Sequence, residues 1–133
     1  MTKNLDNQGL QAIADNYDLF YIDLWGVVHN GIKLHEKAMK VLKNLIIMKK
    51  EFILLTNAPR PCETVNRFLE KMGMEKEIRD HVFTSGEASL NYLKKFHKME
   101  KFFHIGPPRD FDLFNDFKNN QLKDLNECQY ILC

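Results

Sequence analysis

Leu19-Phe20-Tyr21-Ile22-Asp23-Leu24-Trp25-Gly26 is the stretch on which the fold turns. Its short apolar run, rich in aromatic and branched side chains, reads as a β-strand. The run closes on a carboxylate, Asp23, and Gly26 follows, a residue that lets backbone approach a bound group closely. In parallel α/β sheets ligands gather at the carboxyl ends of the strands, so a polar residue that ends an apolar strand marks a candidate site.

Working outward, further strand-like runs lie at Phe52 to Thr56, His81 to Thr84, Phe102 to Ile105 and Gln129 to Cys133, separated by stretches with helical periodicity. That alternation predicts βαβ units and parallel sheets. Leu34, Ala38, Val41, Leu42, Leu45 and Ile46 recur at spacings of three and four, which places them on one face of a crossover helix between the strands of Asp23 and Thr56. A second helix is expected between Pro61 and Gly73, with Val65, Phe68, Leu69 and Met72 on its apolar side and a glycine suited to ending it. Thr84-Ser85-Gly86-Glu87 has capping-box spacing for a third helix through Leu90, Leu93 and Phe96. Gly106-Pro107-Pro108 breaks the chain, Asp110 to Phe117 reads as a short helix, and the polar stretch Asn115 to Glu127 reads as a loosely ordered connection. The last run stops at Cys133 without a turn or cap, so the fold reads as unfinished.

The 133 residues contain 19 Lys plus Arg against 18 Asp plus Glu, and a net charge of +1 gives no field to steer nucleic acid or an anionic membrane. No apolar stretch approaches the ~20 residues that span a bilayer, and the start is not signal-like, so a cytoplasmic protein is expected. Cys62, Cys128 and Cys133 lack paired spacing, and His29, His35, His81, His97 and His104 lack tight ligand spacing; thiols and turn, surface or core histidines are expected. Arg60 and Arg109 follow proline-containing turns, where they either meet an anionic substrate or lie on the surface.

A carboxylate placed like Asp23 can attack phosphorus as a covalent nucleophile, provided a divalent cation screens its repulsion from the phosphate. Magnesium suits one or two carboxylates, a backbone carbonyl, waters and the phosphate. A hydroxyl such as that of Thr56, with the Asn57 region, can hold phosphoryl oxygens. Taken singly, Asp23 can equally cap a turn, and Thr56-Asn57-Ala58-Pro59 can be turn chemistry.

Together, Tyr21-Ile22-Asp23-Leu24-Trp25-Gly26-Val27-Val28-His29-Asn30-Gly31 and Leu54-Leu55-Thr56-Asn57-Ala58-Pro59-Arg60 resemble the first two motifs of the haloacid dehalogenase superfamily, in its NagD-like subclass IIA. Phe83-Thr84-Ser85-Gly86-Glu87-Ala88 and His104-Ile105-Gly106-Pro107-Pro108-Arg109-Asp110 resemble the stretches that precede and open that subclass's cap domain. The resemblance implies an α/β fold: the N-terminal half of a Rossmann-like core over 1–85, a parallel sheet with flanking helices, then the beginning of an α/β cap over 86–133. It also implies an aspartyl-phosphate on Asp23, phosphate binding by Thr56 and Asn57, magnesium held by the Asp23 side chain and the Trp25 backbone carbonyl, and small phosphomonoesters as substrates.

Two departures from the family pattern bear on activity. Trp25 stands where most family phosphatases carry a second aspartate, and an indole cannot perform that residue's proton transfer. The family's lysine and acidic-pair motifs follow the cap in full-length members, so this chain is expected to turn over little or nothing alone, and to act where a complementing C-terminal chain supplies them. Two other classes fit parts of the pattern: a noncatalytic interaction module that keeps half a fold, and a phospho-accepting receiver. The receiver pattern places its acceptor Asp after strand three, whereas here that strand ends in Thr84-Ser85.

Overall fold

The structure, a computed structural model, describes residues 5–6 and 8–133; for 108–111 it describes the backbone alone, so the side chains of Arg109 and Asp110 lie outside the described residues. Each apolar run becomes a strand: β1 Leu19–Asp23, β2 Glu51–Thr56, β3 Val82–Thr84, β4 Phe102–His104 and β6 Tyr130–Leu132, with a two-residue strand, β5 Gln121–Leu122, before the last. Between them lie α1 Glu36–Ile47, α2 Cys62–Lys71, α3 Lys76–Arg79 and α4 Ser85–Phe96. The strands form two sheets of order β1-β2-β3 and β5-β4-β6. Pairings of β1 with β2, and of β4 with β5 and β6, are parallel, as the alternation requires. Dividing the strands between two sheets is incompatible with a five-stranded receiver.

Two compact units emerge, Met1–Thr56 with Asn66–Val82, and Asn57–Val65 with Phe83–Cys133. In the first, the α1 stripe delivers Leu42 and Leu45 to a core that also contains Phe52, Leu54 and Leu69. Gly73, at φ 86°, ends the α2 segment as its sequence predicts, with the Gly73 N–H donating to the Glu70 carbonyl and the Met74 N–H to the Leu69 carbonyl. Phe68 departs from its expected burial, being 43% exposed.

In the second unit, Leu90 and Leu93 of α4 pack with Phe102, Leu113, Phe114 and Phe117. Phe96, expected on that buried face, is exposed. The capping box forms by half: Thr84 Oγ1 accepts the Glu87 N–H at 2.9 Å, while the Glu87 carboxylate accepts the N–H of Cys62, the first residue of α2, at 3.1 Å. One Thr-x-x-Glu sequence therefore serves two helix starts.

The loose connection expected over Asn115 to Glu127 is corrected. A 3-10 helix runs over Pro108–Phe117, and β5 Gln121–Leu122 joins β4 in parallel. Asn120 holds the turn between them by donating its side-chain amide to the carbonyls of Lys98 and Glu100.

Candidate active site

Parallel register brings the two chosen strand ends side by side. Asp23 closes β1 opposite Leu55 of β2, one residue before Thr56. The Leu24 N–H continues the ladder by donating to the Leu55 carbonyl at 3.1 Å. Asp23 is exposed, and its carboxylate makes no hydrogen bond to another described residue. Thr56 is half-buried, and Asn57, next in the chain, is exposed.

Beyond Asp23 the backbone folds into a tight loop. The Leu24 carbonyl accepts from the N–H groups of Val28 and His29, and the Gly26 N–H donates to the His29 carbonyl at 2.8 Å. Gly26 has φ 77°, a conformation that favours glycine. These bonds bypass the carbonyl of Trp25, which accepts no hydrogen bond among the described residues. Further along, Asn30 Oδ1 accepts from Ile32 and Lys33, and the His35 N–H returns to the Val28 carbonyl.

His29 organises this loop, a role that its sequence context as a turn histidine did not reveal. It is buried, and Nδ1 accepts the Gly31 N–H at 3.0 Å, which puts the ring proton of neutral imidazole on Nε2. Burial pushes its pKa below the ordinary histidine value, His35 pushes the same way, and Asp23 opposes them. Its ring meets Trp25 edge-on at 5.4 Å and 87°, and Phe68 at 5.8 Å and 73°. The one available sequence signal was the glycine after His29-Asn30, since Gly31 has φ 86° and a Cβ there would lie 2.5 Å from Trp25 Cη2.

The donors that this strand end offers to a cation are oxygens, the Asp23 carboxylate and the Trp25 carbonyl. Among the described residues no group of three or more His, Cys, Asp or Glu side chains could hold a metal. A small, oxygen-only protein contribution fits magnesium, which keeps several waters and takes phosphate oxygens as ligands. It does not fit zinc, which takes nitrogen and sulfur ligands in closed sites.

Arg60 and Cys62 are both half-buried, and the Cys62 N–H donates to the Glu87 carboxylate. The Arg60 carbonyl accepts the Thr84 hydroxyl at 2.6 Å, in the second unit.

A family model described as haloacid dehalogenase-like hydrolase matches residues 20–118, three-quarters of the chain, which run from β1 through the 3-10 helix that ends at Phe117. The chain belongs to this family. Among solved structures, a haloacid dehalogenase-like hydrolase from Brucella suis 1330 is 30% identical with TM-score 0.78, covering 93% of this chain and 46% of that one. A 4-nitrophenylphosphatase from Thermotoga maritima (23% identity, TM-score 0.68) covers 90% and 45%. NagD from E. coli K-12 (18%, 0.62) covers 87% and 46%. These likenesses place the α/β fold of this dehalogenase-family chain with the NagD-like structures, and the chain spans about half of their length. No relative matches among the curated proteins. Among the described residues, no helix is long and apolar enough to cross a membrane.

Proposed function

We propose that this chain carries the nucleophile and phosphate-binding part of a magnesium-dependent phosphomonoester hydrolase, with the core half over 1–85 and the start of a cap over 86–133. Asp23 attacks the phosphorus of a small phosphorylated metabolite, and its carboxylate oxygen bonds to phosphorus as the ester oxygen departs with its electron pair. Water then cleaves the aspartyl-phosphate and returns the carboxylate. Thr56 and Asn57 bind the phosphoryl oxygens. Bound magnesium, held by the Asp23 side chain and the Trp25 carbonyl, supplies positive charge that offsets repulsion between carboxylate and phosphate.

The observation that carries this reading is the exposed Asp23 carboxylate, without a hydrogen bond among the described residues, at the carboxyl end of β1 beside the end of β2. A carboxylate retained only to cap a turn would accept nearby backbone N–H groups, as Asn30 does. Full turnover calls for a charge-balancing lysine and an acidic pair besides these residues.

The test is phosphorylation by acetyl phosphate with magnesium, read by intact mass. One hydroxylamine-labile phosphoryl group is expected on the wild-type chain and none on Asp23→Asn; labelling that survives this substitution overturns the assignment. An interaction module is the second reading, favoured by the exposed apolar face of β1 and β2, where Leu19 and Tyr21 are 38% and 65% exposed. It predicts no labelling of either protein.

A further inference from the structure

The loop after Asp23 alternates between anchors and exposed apolar side chains. Leu24, Val28 and His29 are buried, whereas Trp25, Val27 and Ile32 are 62%, 49% and 84% exposed. Mobility does not account for this exposure, because the hydrogen bonds of Leu24, Gly26, Asn30 and Gly31 tie the backbone on both sides of Trp25. The indole itself is braced. Its six-membered ring fills the space a side chain at position 31 would take, and the His29 ring meets it edge-on. His29 is in turn backed by Phe68. A large side chain has thus been fixed in one orientation, at the cost of a left-handed glycine, while most of its surface faces solvent.

We propose that Trp25, braced by Gly31 and His29, is a stacking platform for the leaving group, and that the favoured substrates are phosphomonoesters of aromatic alcohols rather than of polyols. This rests on Asp23 being the nucleophile. In-line displacement sends the leaving oxygen away from the attacking carboxylate, out beyond the sheet end where this loop lies. Val27 and Ile32 extend the apolar surface that such a ring would meet. Chemistry points the same way: an indole has no proton to give at neutral pH, so it suits a phenol-like leaving group, which departs as the aryloxide and takes its proton from water. Stacking of a flat ring on an aromatic side chain strengthens binding by about tenfold or more.

Trp25 is the sole tryptophan, so its emission reports on this platform alone. The experiment titrates the full 133-residue chain, with magnesium, against phenyl phosphate, glycerol 3-phosphate and inorganic phosphate, following Trp25 emission and phosphorus-31 line widths together. Phenyl phosphate is expected to shift Trp25 emission saturably and to bind about tenfold tighter than glycerol 3-phosphate, which broadens the phosphorus signal without moving the emission. Trp25→Leu should bring the two esters to equal affinity, and Trp25→Phe should restore the preference. Equal affinities in the wild-type chain, or a preference that persists in Trp25→Leu, overturn the platform and leave the nucleophile standing. Absence of phosphate broadening with every ligand overturns the hydrolase reading and the platform with it. Emission that follows protein concentration instead of ligand makes the loop a contact between copies, and also overturns the platform.

Discussion

Gly26 and Gly31 both lie in the left-handed region, at φ 77° and 86°, yet the same substitution should affect them differently. A Cβ at position 26 meets nothing within 4 Å, so Gly26→Ala carries only the conformational cost, about 1–2 kcal/mol. Position 31 adds a collision with the indole, which must leave its place. Gly31→Ala is therefore expected to cost about 1 kcal/mol more than Gly26→Ala in urea unfolding followed by circular dichroism. It alone should shift the emission of native Trp25; equal behaviour of the two variants would show that the indole does not rest on Gly31 in solution. A composition-based reading finds the carboxylate at the strand end but not this brace, because His29-Asn30-Gly31 has the same appearance in any polar turn. The bond from the Gly31 N–H to His29 Nδ1 and the indole above it are properties of the folded loop.

At the scale of elements, Thr84 joins β3 to α4. Its hydroxyl accepts from Glu87 and donates to the Arg60 carbonyl while only 1% exposed. Thr84→Val keeps the shape and removes both bonds, leaving the part-buried Glu87 N–H and Arg60 carbonyl without that partner, for an expected loss of about 2–3 kcal/mol. Thr84→Ser keeps both bonds and gives up one methyl group, so about 1 kcal/mol is expected. Equal losses in denaturant titrations would mean that the methyl group, and not the cap, matters. Strands β1 to β4 and β6, with α1, α2 and α4, were legible in the sequence because each lies in an apolar run or stripe several residues long. Elements below that length carry no period to read: α3 has four residues, β5 two, and the 3-10 turns at Leu10–Ala12 and Ala14–Asn16 three each. Of the candidate site, the strand ends at Asp23 and Thr56 were legible for the same reason. The capping signal was half legible, since spacing gives the Thr84 bond but cannot say that Glu87 turns to Cys62.

On the scale of the molecule, the consequential feature of the first unit is the face that its sheet leaves open. Residues paired in register share a face, so Leu19, Tyr21 and Asp23 of β1 stand with Glu51, Ile53 and Leu55 of β2. On that face Leu19, Tyr21 and Leu55 are 38%, 65% and 37% exposed, while Phe52 and Leu54 on the other are buried. Among the described residues β1 has a neighbour on one side only of its sheet, so a row of backbone donors and acceptors accompanies the exposed side chains. An apolar strand such as Leu19-Phe20-Tyr21-Ile22 has the composition of one covered on both faces. Water is a poor cover for either the edge or the face. The chain alone is therefore expected to associate, its sedimentation-average mass rising with concentration across the micromolar range. Tyr21→Lys, which places a charge at the most exposed apolar position of β1, should reduce that association while leaving the far-ultraviolet circular dichroism unchanged. A wild-type chain that sediments as a monomer throughout would show that the open face is tolerated by water. Association unchanged in Tyr21→Lys would instead place the sticky surface elsewhere on the molecule.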